Sequence, residues 1–210
     1  MFQKFIDGQY RRPTGLVGRW VGNKMVQQHQ PENLWTVDRL AIQPTDHILE
    51  VGFGPGFAIQ EVAKRITTGY VAGVDFSNVM VNAASKRNAE AIKVGRVHLQ
   101  FGDAAALPFE DSTFDKAYSI HSIYFWPQPA RALKELARIL KPGGILVITI
   151  LPKEKWGGRD PSVPVDTPEC IPYFGTELEQ LMRETGFGTT RIEQDTNNQC
   201  ASNYSVIAIR

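Results

Sequence analysis

A chain of 210 residues, 42% hydrophobic and 21% charged, is long enough for one domain with a full apolar core and short for two. Its 23 basic and 22 acidic side chains nearly cancel to a formal charge of +1, which excludes the broad positive footprint of a nucleic-acid or anionic-membrane binder. No apolar run approaches the roughly 20 residues of a membrane span, and residues 1–8 are too polar for a secretory core. Cys170 and Cys200 lie far apart, without the CxxC spacing of redox or zinc sites. The expectation is a cytoplasmic protein with reduced thiols and no membrane span.

Residues 1–45 precede any regular alternation and carry Trp20, Met25 and Trp35. From about residue 46, short β-rich runs alternate with segments of helical period, the pattern of an α/β domain with a mainly parallel sheet. His47 to Val51 reads as a first strand, and Ile59, Val62, Ala63 and Ile66 then fall on one helix face. Tyr70 to Asp75 is a second strand, residues 78–91 a second helix, and Val97 to Phe101 a third strand. Phe114 to Ser119 follows as a fourth strand. Leu133, Leu136, Ala137 and Leu140 mark a helix that Lys141-Pro142-Gly143-Gly144 should stop. Ile145 to Ile150 is continuously apolar, as a strand covered on both faces requires.

Residues 152–172 form a proline-rich connection (Pro152, Pro161, Pro164, Pro168, Pro172), of a length that is uncommon and often functional. Leu178, Leu181 and Met182 mark a last helix closed by Gly186. Residues 190–194 and 204–209, separated by a polar turn at Asp195–Asn198, predict an antiparallel hairpin.

The first strand runs directly into Gly52-Phe53-Gly54-Pro55-Gly56 and then a helix. Glycines there permit a sharp turn and a close approach of ligand to backbone, at the strand end where open α/β sheets bind ligands. A dinucleotide fingerprint needs a third glycine where this chain has Phe57. Asp75, ending the second strand, can accept from both hydroxyls of a ribose. Asp103, just past the third strand, can accept from an exocyclic adenine amine. Together these describe a nucleoside pocket without a phosphate requirement.

The run from His47 to Ile150 resembles class I S-adenosylmethionine-dependent methyltransferases, in the branch that holds the ubiquinone/menaquinone C-methyltransferases. The matching pieces are Glu50 to Gly56, Val74-Asp75-Phe76-Ser77, Gly102-Asp103-Ala104 with Leu107-Pro108-Phe109, Phe114-Asp115, and Leu140-Lys141-Pro142-Gly143-Gly144. The resemblance implies a Rossmann-like sheet of seven strands in the order 3-2-1-4-5-7-6, with helices on both faces and an antiparallel C-terminal hairpin. It implies one domain: an N-terminal helical cover over 1–45, a cofactor-binding core over 46–151, an active-site loop over 152–172, and a helix with hairpin over 173–210.

It also implies residue roles. Gly52, Gly54 and Gly56 would support the methionyl part of S-adenosylmethionine, with Glu50 orienting the loop or reaching the amino group. Asp75 would hold the ribose with Phe76 beside the adenine, while Asp103 and the backbone of Ala104 would hold the base. In the family the segment after the fourth strand, Tyr118 to Pro127, faces the transferable methyl group. His121 is thus the candidate proton acceptor or a cofactor contact, Tyr124 a catalytic or acceptor contact, and Trp126 an acceptor contact. An aromatic face from Tyr124 or Trp126 would favour a sulfonium by roughly 0.5–2 kcal/mol. Trp20 and Met25, with Gly15, Gly18 and Gly22, would face inward from the cover. His29, His47 and His98 lack a partner pattern, so no metal is expected.

The reading is therefore transfer of methyl to a small organic acceptor, leaving S-adenosylhomocysteine. A nicotinamide-dependent oxidoreductase is the main alternative; Phe57, Asp103 and the Lys141–Gly144 turn speak against it. A non-catalytic cofactor-binding or partner-binding module would carry the same motifs. Methylation of protein or RNA is disfavoured by the neutral charge and the lack of an added recognition domain.

Overall fold

The computed structural model describes residues 29–153, 171, 173–195 and 203–210. The expectations for Trp20, Met25 and the glycines near them, for both cysteines, and for most of the 152–172 connection fall on residues outside that set.

The first described element is helix α1 (Gln30–Arg39), with a proline in its first turn, and Trp35, Thr36 and Val37 turn inward. Strand β1 (His47–Val51) then enters the centre of the sheet, followed by α2 (Phe57–Ala63) and β2 (Tyr70–Asp75). Next come α3 (Asn78–Arg87), α4 (Ala89–Lys93) and β3 (Val97–Phe101) at one edge. The second half runs through β4 (Phe114–Ile120), a 3₁₀ turn (Ile123–Phe125), α5 (Pro129–Ile139) and β5 (Leu140–Ile150). Helix α6 (Gly175–Glu184) leads into β6 (Thr189–Gln194) and β7 (Tyr204–Ile209).

The seven strands lie in the order β3-β2-β1-β4-β5-β7-β6, the order implied by the resemblance. Pairing is parallel from β3 to β5, and antiparallel where β7 meets β5 and β6. The chain winds outward from β1 to β3 and then returns to place β4 on the other side of β1. A crevice opens at the carboxyl ends of two strands whose connections leave in opposite directions, which is where such sheets bind ligands.

Successive residues of a strand point to opposite faces, and the two halves of the core follow this alternation. Ile48, Val71, Tyr118 and Val147 pack with Ile59 and Val62 of α2 on one face. Leu49, Ala72, Ala117 and Leu146 pack with Leu133 and Leu136 of α5 and Leu178 of α6 on the other. Helix α1 joins the first face through Val37 and is pinned by a chain of buried hydroxyls. Thr36 Oγ1 lies 2.6 Å from Thr149 Oγ1, which lies 2.7 Å from Ser205 Oγ.

Two sequence expectations change in detail. The helix expected over 78–91 breaks at Asn88, whose buried side-chain amide donates to the carbonyls of Gly56 and Ala84. That side chain gives one hydrogen bond to the glycine loop and one back to α3, and the helix is interrupted there. The helix expected to include Leu140 ends at Ile139. Leu140 is extended (φ −74°, ψ 144°) and pairs with Phe114, so Lys141–Gly144 lies inside β5 rather than in a separating turn. The irregularity is absorbed by a register shift between Phe114 and Lys116 and by the left-handed Gly143 (φ +79°), whose N–H donates to the carbonyl of Arg210.

Candidate active site

The turn after β1 holds three glycines in the left-handed region, where a side chain is strained: Gly52 (φ +76°), Gly54 (φ +51°) and Gly56 (φ +75°). Their surroundings give them different tasks. A Cβ on Gly52 would lie 2.4 Å from Cβ and Oγ of Ser122, so this glycine lets the turn close against the segment after β4. A Cβ on Gly56 would meet Ala84 Cβ at 2.6 Å, so this one lets α3 approach. A Cβ on Gly54 would meet nothing within 4 Å, because Gly54 faces an open cavity.

That cavity, about 360 Å³, sits at the carboxyl ends of β1, β2, β3 and β4. Of the residues expected to contact cofactor, Glu50, Gly52, Gly54, Asp75, Phe76, Asp103, Ala104 and His121 all line it, and Gly56 does not. Trp126 lines it as well, while its ring also packs into the core. Tyr124 is only 2% exposed and stands behind His121, off the cavity wall. Its hydroxyl lies 3.3 Å from His121 Nδ1 and meets the backbone of Leu151.

Three carboxyl groups reach the cavity from three neighbouring strand ends. Asp75 accepts the Gly54 N–H through Oδ2 (2.9 Å) and the Ser77 N–H through Oδ1 (2.8 Å). Its burial pushes the carboxyl up to about 6, against the opposing pull of the two amides. Glu50 is fully buried and accepts the Tyr118 hydroxyl at 2.8 Å, because β1 and β4 pair Glu50 with Tyr118 in register. Burial pushes Glu50 up to about 8, and the nearby Asp75 adds to the shift. Asp103 accepts the Ala105 N–H at 2.9 Å, which folds the residues after β3 into a tight turn.

His121 directly follows β4 with φ +51°, uncommon for a residue other than glycine, and its N–H is fixed to the carbonyl of Thr149 at 3.0 Å. The bend turns the imidazole out of the strand direction and into the cavity. There it meets His29, with ring centroids 5.2 Å apart. His29 also lines the cavity, and its Nδ1 lies 3.7 Å from Glu32 Oε1. Burial works to raise the Glu32 carboxyl, but the neighbouring His29, its own backbone N–H and His121 together outweigh burial and hold it below the usual range.

The expectation that His29 has no partner is therefore corrected: α1 carries it and Glu32 to His121. A signal for half of this group was present in the sequence. His29 and Glu32 are three residues apart at a helix start, so they share a face. Their meeting with a residue 92 positions later, His121, required the fold.

The sheet order, with a glycine turn opening on the crevice beside β1, defines the Rossmann-like class I methyltransferase fold. Residues 49–148 match the family model described as "Methyltransferase domain". The uncharacterized methyltransferase YdaC of Bacillus subtilis is 34% identical over 166 residues, covering 79% of this chain and 84% of that protein. The chain therefore belongs to the methyltransferase domain family, in its class I S-adenosylmethionine-dependent group. An O-methyltransferase of Aspergillus sclerotiorum, resE, is 34% identical over 161 residues; the match covers 71% of this chain and 57% of that longer protein. Among solved structures, a SAM-dependent methyltransferase from Aquifex aeolicus superposes with a TM-score of 0.71 at 22% identity, covering 88% of this chain and 92% of that one. Among the described residues, no helix is long and apolar enough to cross a membrane.

Proposed function

We propose that the cavity binds S-adenosylmethionine and that the chain transfers its methyl group to a small organic acceptor entering beside His121. The observation that carries this reading is the convergence of Glu50, Asp75 and Asp103 on one cavity of about 360 Å³, with the bare backbone of Gly54 in its wall. A nucleoside with an attached amino acid offers ribose hydroxyls, an exocyclic amine and an ammonium group. Three acceptors at separate strand ends suit those three donors.

In this reading Asp75 takes the ribose, Phe76 lies against the adenine, and Asp103 with the Ala104 backbone takes the base. Glu50 receives the ammonium, and Gly52 and Gly54 let the methionyl chain run close to the backbone; Gly56 acts from behind by seating α3. When bound, S-adenosylmethionine supplies an electrophilic methyl carbon, whose bond to the acceptor forms as the C–S electron pair returns to sulfur, leaving S-adenosylhomocysteine.

The chain's own contribution is alignment and control of a proton. His121 accepts the proton of a hydroxyl or amine acceptor, and the Tyr124 hydroxyl behind it holds Nδ1 and sets which ring nitrogen faces the cavity. Fixing donor and acceptor at near contact accounts for a large part of the rate, about 7–11 kcal/mol in well-oriented systems. Trp126 forms the apolar wall on the acceptor side. A small acceptor is supported by relatives named as O-methyltransferases and by a 2-methyl-6-phytyl-1,4-hydroquinone methyltransferase of rice, 37% identical over 119 residues.

Calorimetric titration with S-adenosylmethionine and, separately, NAD tests the cofactor, and incubation with methyl-labelled cofactor and a metabolite extract tests the acceptor. The expected result is binding of S-adenosylmethionine alone and label in a small molecule. Binding of NAD alone, or label confined to protein or RNA, would overturn the reading.

A further inference from the structure

The acceptor end of the cavity holds a group of side chains that methyl transfer by alignment does not call for. His29 precedes α1, Glu32 lies in its first turn, and His121 comes from the end of β4. One ligand atom from each lies within 4.8 Å of the others. His29 Nδ1 and Glu32 Oε2 are withdrawn from solvent, and neither has a hydrogen-bond partner among the described residues. The 3.7 Å between His29 Nδ1 and Glu32 Oε1 is too long for a hydrogen bond. Buried polar atoms left in this way cost free energy unless something binds them.

From this cluster we propose that His29, Glu32 and His121 form a binding site for a divalent transition-metal ion, zinc first, at the acceptor end of the cavity. Two imidazoles and a carboxylate are a donor set suited to zinc, cobalt or nickel rather than to magnesium or calcium. Tetrahedral zinc with nitrogen ligands sets them about 3.4 Å apart, so atoms now within 4.8 Å of one another must draw in by at most about 1.4 Å, a movement of the order that side-chain rotation supplies. Asn203 donates to Glu32 Oε1 at 3.4 Å and serves as the outer partner that orients a ligating carboxylate.

Three protein ligands leave a fourth position open. His29 and His121 both line the cavity, so that position faces the space where the acceptor enters. The site would then select acceptors with an oxygen or nitrogen able to coordinate, and would acidify that atom. This inference rests on the acceptor end proposed above, and it changes the part played by His121. With the ion bound, its lone pair is committed to the metal, and the acceptor loses its proton because it is coordinated.

The test uses the whole chain, stripped by a chelator and titrated with cobalt(II) while visible d–d absorption is read. One equivalent of cobalt should produce bands typical of four or five nitrogen and oxygen ligands, and zinc should displace it. His29→Ala and Glu32→Gln should each weaken binding at least tenfold, whereas His98→Asn should leave it unchanged. Glu32→Gln keeps the acceptor for Asn203, and thermal unfolding of each variant confirms that it folds. Absence of the bands at one equivalent, or binding that survives both substitutions, would overturn the metal site. The same samples are titrated with S-adenosylmethionine: cofactor binding without cobalt bands rejects the metal alone, and cobalt bands without cofactor binding reject the methyl-transfer reading alone.

Discussion

The carboxylate of Asp75 accepts the backbone N–H of Gly54 at 2.9 Å, tying the end of β2 to the crown of the glycine turn after β1. The group proposed to hold the ribose therefore also shapes the loop that the rest of the cofactor touches. Asp75→Ala removes the ribose acceptor and loosens the turn together. Affinity for S-adenosylmethionine should fall by more than about 1 kcal/mol, since two charge-assisted hydrogen bonds are lost. Calorimetry gives the answer, and unchanged affinity would reject the assignment.

The glycines separate stability from binding. Gly52→Ala places a methyl group 2.4 Å from Ser122 in a left-handed backbone, and should lower stability by about 1–3 kcal/mol. Gly54→Ala has room for its methyl group, so its stability cost is about 1 kcal/mol, from backbone strain. That room is the cofactor's in the proposed complex, and affinity should fall at least tenfold. Thermal unfolding beside cofactor titration distinguishes the two; equal effects on both readouts would contradict it.

Glu50 predicts a pH dependence. Folding raises its carboxyl from 4.5 to about 8, so between those values the folded chain holds a proton that the unfolded chain has released. Stability should fall as pH rises through that window and level off above it. Glu50→Gln removes this slope, so its gain in melting temperature over the natural chain should be larger at pH 8 than at pH 5. Asp75, raised from 3.8 to about 6, adds a slope of the same sign at lower pH, and it persists in the variant. An ammonium beside Glu50 favours the ionised form, so cofactor binding at pH 7 should release a proton. The heat of binding should accordingly vary with the ionisation enthalpy of the buffer.

Thr149 joins α1 to the sheet through hydroxyls on both sides. Thr149→Val keeps the shape but leaves Ser205 without this buried partner and Thr36 with only the carbonyl of Glu32. The expected loss is about 1–3 kcal/mol by denaturant unfolding. Faster amide exchange in α1 should accompany it, because that helix loses its anchor.

His121→Ala should reduce turnover about 10²–10⁴-fold with little change in cofactor affinity. Single-turnover assays with labelled cofactor measure it, and near-normal turnover would leave alignment as the whole mechanism. Tyr124→Phe removes the hydroxyl facing Nδ1 and should shift the pH profile of turnover rather than abolish it.

Much of this was legible along the chain, for local reasons. Alternation placed six of the strands to within a residue, because strands of a covered sheet carry apolar residues in register; β5 begins five residues before the expected Ile145. Gly52, Gly54 and Gly56 announced a turn, since only glycine adopts three left-handed conformations so close together without strain. Asp75 and Asp103 stood out as carboxylates at strand ends. The readings that shifted depended on distant partners. Nothing near Asn88 in sequence says that its amide will reach Gly56, and Leu140 reads as helical until Phe114 offers it a strand. Tyr124 sits next to residues of the cavity wall, yet the 3₁₀ turn carries it behind His121.

The sequence by itself determined the class of fold, the turn after β1 and the carboxylates that face a nucleoside, because local period and residue chemistry specify each of these. Tertiary structure alone decided which groups share the cavity. Parallel pairing brings Glu50 to Tyr118 across 68 residues, and the left-handed bend at His121 aims its ring at His29 and Glu32 on a helix that precedes the sheet. Such meetings are set by strand order and helix docking, which bury the apolar faces of both halves of the chain at once, and a linear pattern does not encode them.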